Sequence, residues 1–170
     1  MRLNEICQLR LADVQSIEGV TVFHVRPSAG LQRVKTEAGR RIVPLHPFLK
    51  RLQFEEYVAT IRAAGKDRLF PDLREDTRGY HSDGFQKWFA RLLAHSDAVE
   101  DRTSFHSFRH NWRDAMREAG VPQERVRLIG GWKRTSTDEM YGGPGSAKVL
   151  KKDIAKVKYR DLDLDHLLPS

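Results

Sequence analysis

His106 and Arg109, in the run His106-Ser107-Phe108-Arg109, stand three residues apart. On a helix that spacing puts an imidazole and a guanidinium on one side, where both can meet a single oxyanion. Alone the pair is common, and it reads equally as a half-buried His beside a surface Arg. Two further elements follow it: Gly130-Gly131-Trp132, with Trp132 26 positions after His106, and then Tyr141, nine positions later. Two precede it. Arg2 and Glu5 share a helix face at i and i+3, and Lys35 stands just before a turn at Glu37-Ala38-Gly39, in a stretch that also carries Arg33, Arg40 and Arg41. Paired guanidiniums can donate to phosphate oxygens without a metal. An imidazole can take up a proton near neutral pH. A tyrosine hydroxyl becomes a nucleophile once neighbouring cations and a base overcome its ordinary pKa of about 10. The chemistry open to this set is displacement at phosphorus.

These residues need elements to hold them. Leu3, Ile6 and Leu9 recur at helical spacing, so the chain opens in an amphipathic helix over 3–9. No cap precedes it, and further sequence upstream of Met1 is expected. Between residues 20 and 44 the period changes to alternation (Val20 to Val25, then Arg41-Ile42-Val43-Pro44-Leu45), with Gly30 and Gly39 as punctuation, which predicts a three-stranded antiparallel meander. Pro47 to Ala64 reads as one helix carrying Phe54, Tyr57, Val58 and Ile61 on a face, stopped by Gly65. Residues 82–95 repeat the pattern with Phe85, Trp88, Phe89, Leu92 and Leu93, an aromatic stripe expected to be core, Trp88 included. Helices follow over 104–119, from Pro122 to about Ile129, and over Thr135–Tyr141, before Gly142-Gly143-Pro144-Gly145 breaks the chain. Ala147 to Lys158 is basic and amphipathic, with Val149, Leu150, Ile154 and Val157 on one side. That stripe can cover a neighbouring protomer or its own domain.

Composition bounds the alternatives. A chain of 170 residues with 39% apolar side chains can close one core. The 30 Lys and Arg against 23 Asp and Glu leave a net charge of +7, distributed as +4 over 1–50, −1 over 51–100, +7 over 101–160 and −3 over 161–170. A polyanion-binding face would therefore join segments distant in sequence. The single Cys7 excludes a disulfide framework and a Cys-rich zinc site, and reads as a buried small hydrophobe in a reducing, intracellular setting. No secretion signal and no apolar run long enough to span a bilayer is present, so a soluble protein is expected. His106 and His110 have i, i+4 spacing, but no Glu or Cys completes a zinc pattern, and no metal site is expected. His24, His46, His81, His95 and His166 read as surface or packing residues.

The ordered set (Arg2-x-x-Glu5, Lys35, Leu69-Phe70-Pro71, His106-x-x-Arg109, Gly131-Trp132 and Tyr141) resembles the catalytic domain of the tyrosine recombinases, the phage-integrase family, over the whole chain. The resemblance implies a mainly α fold with a small antiparallel β-sheet, that of the DNA breaking-rejoining enzymes. It implies site-specific recombination or integration through a 3′-phosphotyrosyl intermediate. Tyr141 would be the nucleophile, Arg2 and Arg109 would hold the phosphate, and His106 would be the base. Trp132 would donate from its indole, Lys35 would protonate the leaving 5′-oxygen from a hairpin reaching the minor groove, and Glu5 would orient or balance the charges. Trp132 stands where many integrases carry His, and reads equally as a Trp closing a helix junction. Arg33, Arg40, Arg41, Lys133 and Arg134 are expected to hold the duplex.

The resemblance implies no cofactor and no ATP. The partners would be double-stranded DNA and other copies of the chain, as a tetramer on DNA in the full-length protein, with no membrane. The location would be cytoplasmic, nucleoid-associated, encoded by a bacterium, phage or prophage. Residues 1–170 would be a catalytic domain without its first helix and the preceding DNA-clamping domain, 146–158 a C-terminal helix exchanged between protomers, and 159–170 an acidic tail. A degenerate DNA-binding or assembly module of the same fold, and a type IB topoisomerase, are the alternatives.

Overall fold

The computed structural model describes residues 1–27, 39–101, 103–132 and 146–169. Among them lie seven helices and one three-stranded antiparallel sheet, so the chain is mostly helical. Helix α1 (Leu3–Cys7) and a 3-10 turn (Leu11–Asp13) lead into strands β1 (Val14–Ile17), β2 (Val20–Val25) and β3 (Arg41–Pro44). Helices α2 (Pro47–Arg51), α3 (Phe54–Ala63), α4 (Asp83–His95), α5 (Ser107–Glu118), α6 (Gln123–Gly130) and α7 (Ala147–Ala155) follow.

Glu18 and Gly19 carry φ angles of 53° and 73°, the two-residue turn whose twist matches that of antiparallel strands. The turn joins β1 to β2 in the register Ile17↔Val20 to Val14↔Phe23, and β3 pairs the other edge of β2 from Val22↔Pro44 to Val25↔Arg41. Three antiparallel strands are therefore present, but only those at Val20–Val25 and Arg41–Pro44 are expected ones; they pair directly with each other, and the third strand is β1. β1 lies upstream of the alternating run, because Gln15 and Ser16 interrupt its apolar pattern and Glu18 takes a left-handed conformation more usual for Asn or Gly. The residues expected to form the middle of the meander, 28–38, lie outside those described, as does the helix expected over Thr135–Tyr141.

The sheet separates two apolar clusters. Val20, Val22 and Ile42 pack with Met116 of α5, Val126 and Ile129 of α6, and Leu150 and Ile154 of α7. On the other side Phe23 and Leu45 pack with Leu9, Val58 of α3 and Leu69, and Val43 touches both clusters. Fully buried side chains such as Leu69, Met116 and Leu150 each contribute about 1.5–3 kcal/mol through removal from water. Helix α7 thus covers its own sheet, and Val149, expected on the apolar side, faces outward. Its start is held by the Glu18 carboxylate, which accepts from Ser146 Oγ at 2.6 Å and from the Lys148 N–H at 3.3 Å, an anion at a helix N-terminus.

Two other expectations are corrected. The helix read over 47–64 is two helices, because Gln53 adopts φ 56° between α2 and α3. The α4 stripe is not core: the helix contains no buried residue and Trp88 is 48% exposed. Helix α4 does not reach either cluster, and its rings instead meet the α4–α5 connection, with Phe85 and Phe89 edge-on to Phe105 at 5.3 and 5.5 Å.

Arg68 ties α1 to the loop before α4. Its Nη2 donates to the Cys7 carbonyl at 2.9 Å, and its Nη1 donates to the Leu73 carbonyl at 3.1 Å and to His81 Nδ1 at 2.7 Å, while the His81 N–H donates to Asn4 Oδ1 at 3.0 Å. Accepting from a guanidinium requires a bare Nδ1. Burial, then the charge of Arg68, holds His81 below the ordinary histidine range, and burial acts the same way first on His24 and His46. The unfolded chain therefore binds more protons than the folded one just below the ordinary histidine pKa of about 6.5. The stability these histidines contribute is complete above that pH and is lost as pH falls from it through their lowered pKa values. Calorimetry from pH 7.5 to 5 should show a falling melting temperature, with a shallower fall in His81→Gln. A flat profile in the parent, or an equal slope in the variant, would contradict this assignment.

Candidate active site

Helix α1 opens on Arg2, whose N–H donates to Glu5 Oε2 at 2.7 Å and whose Nη1 meets Glu5 Oε1 at 2.9 Å. This closes the first turn and pins the expected i, i+3 pair. Glu5 is 4% exposed rather than a surface carboxylate. A buried anion requires compensation, and Arg41 supplies it with Nη2 at 2.7 Å from Glu5 Oε2. Burial pushes the Glu5 carboxyl upward, but the hydrogen bond and charge of Arg41 and the Arg2 N–H outweigh it and hold the group below its ordinary range.

Arg109 lies in the first turn of α5, 7% exposed. Its Nη2 donates to the Gly130 carbonyl at 2.5 Å, and its Cζ sits 4.0 Å from the centre of the Trp132 ring. Trp132 in turn stacks on Trp112 at 5.9 Å and 19°. Trp132 thus lies between Trp112 of α5 and the Arg109 side chain, as a Trp closing a helix junction would. Arg109 Nη1 is buried and has no hydrogen-bond partner among the described residues. Burial, then the charges of Arg2 and Arg41, lower the Arg109 pKa to about 10, which leaves it cationic at neutral pH. Three guanidiniums thus surround one carboxylate, and an anion is the natural complement.

The two glycines before Trp132 are structural requirements. A Cβ on Gly130 would stand 1.8 Å from Trp132 Cζ3, inside the indole. Gly131 has φ 67°, and a Cβ there would stand 2.6 Å from Arg41 Nη1. The pair makes room for the two side chains that frame Arg109.

His106 is the residue before α5, exposed, with its ring 5.0 Å edge-on to that of His110. Burial, then His110, Arg109 and Arg2, lower its pKa. The downward shift favours the neutral ring, the form able to accept a proton. Arg2, His106 and Arg109 open together on a groove of about 880 Å³ between α1, α4 and α5, which Tyr80 also lines. A larger cleft of about 1050 Å³, beside Phe23, Leu49 and Tyr159, is mainly apolar and contains none of these three.

The structure thus brings together Arg2, Glu5, His106, Arg109 and Trp132. Lys35, Tyr141, Arg33, Lys133 and Arg134 lie outside the described residues. Arg40 is exposed. Arg41, expected to hold the duplex, has a side chain 1% exposed and spends its three nitrogens inside the protein. The sequence did carry a signal for this: Arg41 heads an apolar strand, and its partner carboxylate, Glu5, sits among residues that also bury.

Fold and site together define a mostly helical domain with a cationic groove formed from sequence-distant arginines and a histidine. The chain belongs to the phage integrase family, whose model matches residues 1–143. That places it among the tyrosine recombinases of DNA recombination and integration, with DNA as the class of partner. No curated protein and no solved structure matches it. Among the described residues no helix is long and apolar enough to cross a membrane.

Proposed function

We propose that this chain is a catalytic domain, with the fold of the DNA breaking-rejoining enzymes, that cuts and rejoins one DNA strand at a time through a tyrosyl ester. The observation that carries the reading is Arg109: a buried guanidinium with one nitrogen unpartnered among the described residues, beside Arg2 and His106 on the same groove. The Tyr141 oxygen attacks the scissile phosphorus, its proton passes to His106, and the bond from phosphorus to the 5′-oxygen breaks. The leaving oxygen takes its proton from Lys35. Arg2 and Arg109 donate to the two non-bridging oxygens, where charge grows in the transition state. Attack by a second 5′-hydroxyl reverses these steps and frees the tyrosine, so bond energy is conserved and no nucleotide triphosphate is consumed. Arg33, Arg40, Lys133 and Arg134 serve the duplex, on which the protein assembles as a tetramer.

The test is a duplex drawn from the DNA flanking the gene, nicked close to the scissile phosphate so that the cut is trapped. A covalent adduct should form, and peptide mapping should place the 3′-phosphate on Tyr141. The chain has four tyrosines. Tyr57 donates its hydroxyl to the Leu69 carbonyl at 2.7 Å, and burial raises the pKa of both Tyr57 and Tyr159. Tyr80 lines the groove. A linkage to Tyr80 would overturn the choice of nucleophile, and duplex binding without any adduct would leave a DNA-binding module.

A further inference from the structure

Arg41 touches each of three segments around the site. Its Nη2 meets Glu5 of α1, its Nη1 donates to the Gly39 carbonyl at the foot of the hairpin at 2.7 Å, and its Nε donates to the Ile129 carbonyl near the end of α6 at 2.7 Å. From Glu5 the contact passes directly to Arg2. From Ile129 it passes along the chain to Gly130, whose carbonyl holds Arg109, and to Gly131, whose missing Cβ leaves the space Arg41 fills. We propose that Arg41 is a positioning residue: it sets Arg2 and Arg109 at one separation, so that both guanidiniums meet the two oxygens of one phosphate. The inference rests on the phosphate-transfer reading above and adds to it a residue that never touches DNA.

The physical argument is one of directions. Three nitrogens of one planar group address a carboxylate of α1, a carbonyl of α6 and the carbonyl two residues before Arg41, a geometry that one ammonium on a flexible stem does not reproduce. A buried ion pair is in itself poor evidence of added stability, since apolar residues of similar volume often serve as well. What this pair supplies is registration of α1 against the α6 terminus.

The experiment measures, on the nicked duplex, the single-turnover rate of adduct formation at saturating DNA, separately from the dissociation constant. If the parent protein forms no adduct, the functional reading itself fails. If it does, Arg41→Lys should bind the duplex within about threefold of the parent and form the adduct at least about tenfold more slowly, since small misplacements of reacting groups carry effects of that size or more. Coupling provides a readout that loss of stability alone would not move. In Arg2→Ala, a second change of Arg41→Lys should slow the reaction by a smaller factor than it does in the parent, because one of the two residues being positioned is gone. Should Arg41→Lys fail to fold, Glu5→Leu/Arg41→Met removes both charges together, and it should fold yet still lose at least about tenfold in rate. An Arg41→Lys rate within twofold of the parent, effects of Arg2 and Arg41 that multiply independently, or a folded double variant at full rate would each overturn the proposal.

Discussion

Exchanging Arg109 for Lys should slow adduct formation by about 10²–10³, the usual effect of removing one preorganised donor from a charge-developing oxygen. The charge is retained; what is lost is the planar fork. Arg109 uses one nitrogen on the Gly130 carbonyl, sits over the Trp132 ring and leaves Nη1 unpartnered among the described residues. An ammonium cannot do all three, and the stacking alone is worth about 1–2 kcal/mol at a desolvated site. Binding should weaken less than the rate, because many phosphate contacts hold a duplex and this one tightens in the transition state. Arg109→Ala should lower the slope of log affinity against log salt by about one contact. Single-turnover kinetics and salt titration separate the two effects. An Arg109→Lys rate within tenfold of the parent would remove Arg109 from the reaction.

The second large effect concerns stability. Gly131→Ala should destabilise the fold by about 2–5 kcal/mol, combining left-handed backbone strain with overpacking. At this chain length each kcal/mol lowers the melting temperature by about 2–4 °C. Gly65 supplies an internal control, because it shares the φ of 67° but has nothing within 4 Å of the Cβ position. Gly65→Ala should show backbone strain alone, about 1–2 kcal/mol. The difference between the two, measured by denaturant unfolding, isolates the collision with the Arg41 guanidinium. Equal losses would mean that Arg41 can move aside, and the brace would be looser than its contacts indicate.

The elements with strong periodicity were legible: α4, α5, α6 and the β2–β3 region lie close to their expected bounds. Failures have local causes. β1 was hidden by Gln15 and Ser16, and the single helix over 47–64 was broken by Gln53, a residue whose type announces no break. Trp88 shows the limit of amphipathic pattern as a guide to burial. Its spacing selects a face, but no spacing states whether another element arrives to cover that face, and here, among the described residues, the rings of α4 meet Phe105 and its neighbours.

By itself the sequence determined which chemistry was at hand, because side-chain type and order along the chain do not depend on packing. Arg2, Glu5, His106, Arg109 and Trp132 could be named from it, as could the glycines beside Trp132. Only the tertiary structure decided which arginines face the groove and which lie beneath it. Arg40 and Arg41 are adjacent and chemically identical, yet one is exposed and the other buried against Glu5, Gly39 and Ile129. Arg41 opens β3 whereas Arg40 lies just before it, and the carboxylate that makes burial of Arg41 tolerable comes from a helix 36 residues away in sequence. That pairing exists only once α1, β3 and the end of α6 have met.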